Sequence, residues 1–319
     1  MALQFIFGNP GSGKSHYLYE HIIRESMKHP DINYIILVPE QFTMQTQKEL
    51  VLRHPRHGIM NIDVLSFARL AFRVLEETGN GSREILDDEG KNLILRRLAG
   101  KKEDSLKVLK GNIKKPGYIS EVKSVISELT QYNISADGMD DMITEADESS
   151  YLAWKLKDIQ VMYQAFEEYL ADKYITKEEI LDILCNVMDK SRMLKDSVIA
   201  LDGFTGFTPL QNKVLGEMLH HCQKVMITVT MDKREDPYVM KDKYQLFALS
   251  KQMVTSLVKI AGEEKVLVEE PVCLYQEPVW RLRRHLHFWR RNCSVTVAGL
   301  TGKSSQMCGF MQRQIPGWK

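Results

Sequence analysis

Long apolar runs are missing from this chain. Nowhere does it carry the roughly 18 to 20 consecutive apolar residues that a membrane-spanning helix needs. The first residues, Met1 to Phe7, lack the basic start and the A-x-A pattern of a secretory signal. Cysteine is sparse: there are five, Cys185, Cys222, Cys273, Cys293 and Cys308, with no C-x-x-C pair and no His at zinc-finger spacing. That excludes a small disulfide scaffold and a zinc finger. An excess of one charge is also lacking, with 43 Lys+Arg against 42 Asp+Glu and a net charge of +1. Coating nucleic acid or an anionic membrane by bulk charge is thereby excluded, so any anion site must be built locally. These absences lead to the expectation of a cytoplasmic protein with free thiols and no membrane partner.

What is present is an ordinary globular composition. The 319 residues are 44% hydrophobic and 27% charged, enough for about two domains and unlike disordered or collagen-like chains. The run Leu3 to Phe7 reads as a strand, is followed by a glycine-rich turn, and leads into a helix over Ser15 to Met27 with Tyr19, Ile22 and Ile23 on one side. Tyr34 to Val38 reads as a second strand before Pro39, with a helical segment from about Phe42 to Arg53. Met60 to Leu65 reads as a third, and Ser66 as the N-cap of a helix carrying Phe67, Leu70, Ala71, Val74 and Leu75. Strands alternating with helices imply a parallel sheet.

From about Asp87 to Lys195 every strong period is helical. Leu152, Leu156, Ile159, Tyr163, Phe166 and Leu170 recur at steps of four and three, as do Ile119, Val122, Ile126 and Leu129. Strand signals return at Val198 to Leu201 and Val225 to Val229. The expected organisation is therefore a discontinuous α/β domain over 1–86 and 196–235 with an all-α insertion over 87–195. Residues 236–292 read as the start of an incomplete second domain, with a helix near Gln245 to Ile260 and a strand at Val266 to Val268. The remainder, 293–319, is an irregular tail.

Gly8-Asn9-Pro10-Gly11-Ser12-Gly13-Lys14-Ser15 fits GxxxxGK[ST] and lies between a strand and a helix, the context that gives this motif its meaning. Glycines let backbone N–H groups wrap a β-phosphate, while the helix N-terminus adds its positive end. Lys14 would neutralise phosphate oxygens and the Ser15 hydroxyl would ligate Mg²⁺. Asp202, at the end of the Val198–Leu201 strand, supplies the acidic partner for that cation. The next residue, Gly203, can neither act as a base nor orient a water, so ATP binding is better supported than hydrolysis.

The order P-loop, Val38-Pro39-Glu40-Gln41-Phe42-Thr43, Val64-Leu65-Ser66-Phe67, helical insertion, and Asp202-Gly203-Phe204-Thr205-Gly206-Phe207-Thr208-Pro209-Leu210-Gln211 closely resembles the N-terminal part of the AddB family over about residues 1 to 235. That family forms one subunit of the AddAB (RexAB) helicase–nuclease that processes double-strand DNA breaks. The resemblance implies a RecA-like, superfamily 1 helicase-like fold, and a heterodimer with an AddA-type helicase subunit that supplies translocation. It also implies recognition of Chi in single-stranded DNA. Active motors carry a DExQD-like string, then a further Gln, where this chain has Asp202, Gly203, Phe204, Thr205, Gly206 and, further on, Gln211. They carry GDxxQ where it has Thr230-Met231-Asp232, so a lost motor is expected. The full-length family also holds a C-terminal nuclease domain and a 4Fe–4S cluster with four cysteine ligands. Their sites are expected to be absent here, where no cysteines have the right spacing, and the tail reads as that of a truncated or frame-shifted product.

The resemblance and the chain order make Gln41, Thr43, Ser66 and Phe207 candidates for DNA contact. For Thr43 a capping role is an equal alternative, and Phe204, Phe207 and Pro209 are either a stacking surface or packing against the next helix. The Trp280–Arg291 tract mixes cations and aromatics as single-strand binders do, yet Leu282, Leu286 and Trp289 also fall at helical spacing. Asp137, Asp140, Asp141, Glu145, Asp147 and Glu148 have the irregular spacing of a solvated loop rather than a metal site. Two other functional readings stand beside the scaffold one: an autonomous P-loop NTPase or kinase with Glu40 as base, and a fragment without independent function.

Overall fold

The computed structural model describes residues 1–275 apart from 80–83, 114, 147–149, 172–173, 177, 241 and 243. The Trp280–Arg291 tract, the tail, and Asp147 and Glu148 of the acidic group lie outside the described residues.

The chain runs β1 (Ala2–Gly8), α1 (Lys14–Lys28), β2 (Tyr34–Leu37), α2 (Thr43–Arg53), β3 (Ile62–Leu65) and α3 (Phe67–Glu77). It continues through β4 (Glu84–Leu86), α4 (Asp88–Lys102), α5 (Pro116–Gln131), α6 (Met139–Glu145), α7 (Tyr151–Leu170), β5 (Tyr174–Thr176) and α8 (Ile180–Val187). The last part holds β6 (Val198–Leu201), α9 (Pro209–His221), β7 (Lys224–Thr230), α10 (Ala248–Glu263), β8 (Leu267–Val268) and β9 (Val272–Leu274).

The central sheet is parallel in every pairing, in the order β3-β2-β6-β7-β1-β8, with β9 also beside β1. Strands β2, β6 and β7 are buried on both faces, which is why they are continuous apolar runs. Alternation divides the strand residues cleanly. Leu3, Phe5, Phe7, Ile35, Leu37, Ile199, Leu201, Val225, Ile227 and Val229 face a core built with α3, α8, α9 and α10. Ile6, Tyr34, Ile36, Ala200 and Met226 face the other way, onto Leu18, Tyr19, Ile22 and Ile23 of α1 and Leu50 of α2.

Four of the described α-helices, α3, α4, α7 and α9, begin where a side chain satisfies a free N–H group. Ser66 Oγ accepts from the Arg69 N–H at 3.3 Å, the expected cap of α3. At α9, Thr208 Oγ accepts from Gln211 N–H at 3.2 Å and the Gln211 side chain accepts from Thr208 N–H at 3.0 Å. With Pro209 at the first turn this is a complete capping box. Gln211 is therefore committed locally.

The helical block has its own core, from Leu95 and Leu98 of α4 through Ile119, Val122 and Ile126 of α5 to Ile159, Met162 and Phe166 of α7. A buried acid organises it: Asp158, 2% exposed, accepts from the N–H groups of Lys107, Val108 and Leu109 at 2.9, 2.7 and 2.8 Å. Four features differ from expectation. Leu152 is exposed, because Ala153 takes the buried place in the first turn of α7. Strands β4 and β5, three residues each, pair in parallel at the base of the block, too short to register as a period. Helix α8 packs against α3 and α9, so its Leu184 and Val187 belong to the main core. Residues 248–274, expected to begin a second domain, contribute to the first: Met253, Val254 and Leu257 of α10 enter its core, and β8 and β9 extend its sheet beside β1. The open side of β1 offers unpaired backbone groups that these strands satisfy.

Candidate functional site

Parallel register brings the ends of several strands to one edge. Leu37 is level with both Leu65 and Leu201, Leu201 with Ile227, and Gly8 with Thr230. The turn after β1, Gln41 and Thr43 after β2, Ser66 after β3 and Asp202 after β6 therefore share the carboxyl edge, where open α/β sheets bind ligands.

The turn after β1 is a backbone device. Gly11 and Gly13 hold φ values of 72° and 87°, in the left-handed region that favours glycine. A Cβ on Gly8 would strike Ser12 Oγ and come within 2.6 Å of the Leu274 carbonyl oxygen, so β9 and the loop both require glycine there. The Lys14 ammonium folds back over the loop, donating to the carbonyls of Gly8 at 3.1 Å and Asn9 at 3.0 Å. Burial pulls its pKa down to about 8, against an upward pull from the Asp202 charge. Asn9 Oδ1 and Ser12 Oγ are buried with no protein partner. A buried hydroxyl left unpaired costs about 1–3 kcal/mol, and Ser12 can recover this by donating to an anion held in the loop.

Asp202, 6% exposed, is the convergence point. Its Oδ1 accepts from Ser15 Oγ at 3.1 Å and from Thr228 Oγ1 at 2.6 Å; its Oδ2 accepts from Tyr19 OH at 2.7 Å. Ser15 and Asp202 are thus brought together, and the Asp202 charge acts on the Lys14 ammonium. Sequence reading alone does not mark Tyr19 and Thr228 as site residues. The signals were available: Tyr19 is one helical turn after Ser15, and Thr228 is the lone hydroxyl inside the apolar Val225–Val229 run. Burial, then the neighbouring Asp202 charge, push the Tyr19 phenol well above its ordinary pKa.

Gly203 itself has φ 79°, so the position after Asp202 is a left-handed turn beside Pro39. The chain after it folds inward: Phe204 and Phe207 meet Phe67 edge-on, with centroids at 5.5 and 6.2 Å. Phe207 is half-buried in that cluster and also lines an open groove with Tyr132, Thr208 and Asn212. Of the other candidates for DNA contact, only Gln41 is exposed. Thr43 is buried and donates to the Glu40 carbonyl at 2.9 Å, while Ser66 is buried in its cap. Asp232, beyond β7, is held by Arg234 at 3.0 Å. Among the described residues no group of three or more His, Cys, Asp or Glu could hold a metal ion. Burial pushes the Cys185 and Cys222 thiols up to about 11, making them poor nucleophiles. No described helix is long and apolar enough to cross a membrane.

Comparison with known proteins adds a second line. A family model described as ADDB, N-terminal, matches residues 5–288. A protein of Lachnoclostridium phytofermentans, named as the B-type subunit of an ATP-dependent helicase/deoxyribonuclease, is 47% identical over 277 residues, 87% of this chain and 24% of that relative. Proteins of the same name from Clostridium kluyveri and Caldanaerobacter subterraneus are each 34% identical, over 89% and 86% of this chain. The chain spans about a quarter of the length of these curated relatives.

Proposed function

Because this chain belongs to the ADDB N-terminal family, we propose that it is the ATP-binding portion of a helicase/deoxyribonuclease B-type subunit, acting as a scaffold rather than a motor. In this reading the parallel sheet is a RecA-like P-loop domain. Gly8 to Ser15 cradle the phosphates by backbone N–H groups, and Lys14 leaves its two carbonyl partners to neutralise phosphate charge. Ser15 and Asp202 hold Mg²⁺. That cation, when bound, would supply charge neutralisation at the phosphates.

The observation that carries the proposal is the meeting of Ser15 Oγ and Asp202 Oδ1 at 3.1 Å beside a glycine loop whose lysine is half-desolvated. Weak or absent hydrolysis follows from Gly203, which offers no carboxylate after Asp202 and whose backbone is left-handed. In the whole assembly we propose an AddA-type partner subunit, single-stranded DNA carrying Chi as the polynucleotide, and a cytoplasmic setting in the repair of double-strand breaks. Exposed Gln41 and the Phe207 groove at the carboxyl edge support the DNA part.

Equilibrium binding of a fluorescent ATP analogue, with phosphate release measured with and without single-stranded DNA, tests this. Binding that disappears in Lys14→Ala, with turnover unaffected by DNA, is the expected result. Robust DNA-stimulated turnover overturns the scaffold reading in favour of an autonomous NTPase; absence of binding overturns the nucleotide reading.

A further inference from the structure

We infer that Tyr19 is a positioning residue for the divalent cation, fixing the carboxylate of Asp202 so that Oδ1 alone is presented to Ser15. The inference rests on the nucleotide-binding reading above. A carboxylate at a strand end rotates freely about its last torsion, whose preference is broad and two-fold. Here three hydroxyls on two different elements remove that freedom. Thr228 of β7 and Ser15 of α1 share Oδ1, while Tyr19 of α1 takes Oδ2 at 2.7 Å.

Tyr19 is itself held. It is 4% exposed, and its hydroxyl lies 3.4 Å from Thr46 Oγ1 of α2, which is 5% exposed. The phenol therefore has no solvent alternative, and Oδ2 has no other donor among the described residues. The ring already serves the core under α1. A phenylalanine would serve that purpose equally, so the hydroxyl is the part that packing leaves unexplained. Orientation of a metal-binding carboxylate by an outer hydrogen bond is a recognised determinant of metal affinity, and its loss costs roughly 10- to 100-fold.

Titrating Mg²⁺ against the binding of a fluorescent ADP analogue by the full chain separates this role from a structural one. In Tyr19→Phe the Mg²⁺ midpoint is expected to rise about ten-fold, with binding in EDTA equal to wild type. An unchanged or lowered midpoint overturns the inference, as does an equal loss with and without Mg²⁺, which marks Tyr19 as part of the fold only. Thr46→Val, which releases the far side of the phenol, is expected to shift the midpoint the same way by less. Should Tyr19→Phe not fold, an unshifted midpoint in Thr46→Val overturns the inference. Wild-type chain that binds no nucleotide, or binds it without regard to Mg²⁺, overturns the nucleotide reading and this inference with it.

Discussion

Raising the pH from 7 to 9 is expected to weaken nucleotide binding through Lys14 alone. Burial lowers the pKa of its ammonium to about 8. About nine-tenths of the molecules therefore carry the charge at pH 7 and about one-tenth at pH 9. Phosphate oxygens restore the charged form on binding, so above pH 8 the ligand must draw a proton from solution. Because the group retains some solvent contact, the expected fall in affinity is about three- to ten-fold over this range. An ordinary lysine, ionising near pH 10.4, would give almost none. Phosphate monoesters finish ionising near pH 6, so the nucleotide is not itself the titrating partner. Calorimetry at saturating Mg²⁺, in two buffers of contrasting ionisation enthalpy, measures both quantities. At pH 8 about half a proton is taken up per nucleotide bound. Lys14→Arg, whose guanidinium stays charged, removes the pH dependence. The same shift fixes a sign for folding without nucleotide: folded Lys14 releases its proton more readily than unfolded, so stability rises as pH passes from 8 toward 10.5. A wild-type affinity flat between pH 7 and 9, with no proton uptake, refutes the assignment of the shifted lysine to the phosphate site.

Three further outcomes follow from contacts elsewhere. Asp158→Ala strips three backbone N–H groups of a buried charged acceptor and is expected to destabilise the helical block by about 2–4 kcal/mol, read by urea denaturation; a loss below about 0.5 kcal/mol contradicts the network. Gly203→Glu restores a carboxylate after Asp202 but forces a side chain into the left-handed region, a strain of roughly 1–2 kcal/mol. It is expected to lower Tm without raising phosphate release, and a gain in turnover would show that this position can orient water after all. Gln41→Ala is expected to leave Tm nearly unchanged while weakening single-stranded DNA binding; Thr43→Val, losing the bond to Glu40, lowers Tm by a few degrees. The opposite pattern would exchange their roles.

Much of the fold is legible because the sheet is parallel and its inner strands are covered on both faces. Burial on both faces makes β2, β6 and β7 read as unbroken apolar runs, and the helices between them carry one-sided stripes. The helical block is equally plain across α5 and α7, which each repeat their apolar residues for several turns, whereas α8, inside the same expected span, joins the main core. Reading fails where the deciding contact is distant in the chain. Three residues of β4 have no meaning until β5, about ninety residues later, lies beside them. Residues 248–274 resemble a new beginning along the chain, yet they complete the oldest strand: Glu269 N–H donates to the Leu3 carbonyl at 2.8 Å.

The site divides along the same line. Gly8, Gly11, Gly13, Lys14 and Ser15 are legible because their spacing is set within one turn of backbone, and Asp202 because it closes an apolar run. What spacing alone cannot supply is how these groups are held. Thr228 reaches Asp202 only because Leu201 pairs with Ile227, which makes the next residues of β6 and β7 neighbours. A one-residue slip of that register would turn Thr228 to the opposite face and leave Asp202 with one donor fewer. Polar side chains inside otherwise apolar stretches, Thr228 in β7 and the Tyr19 hydroxyl on the buried face of α1, are therefore the positions to test first. Each is costly to bury alone, and in this fold both costs are met at a single carboxylate.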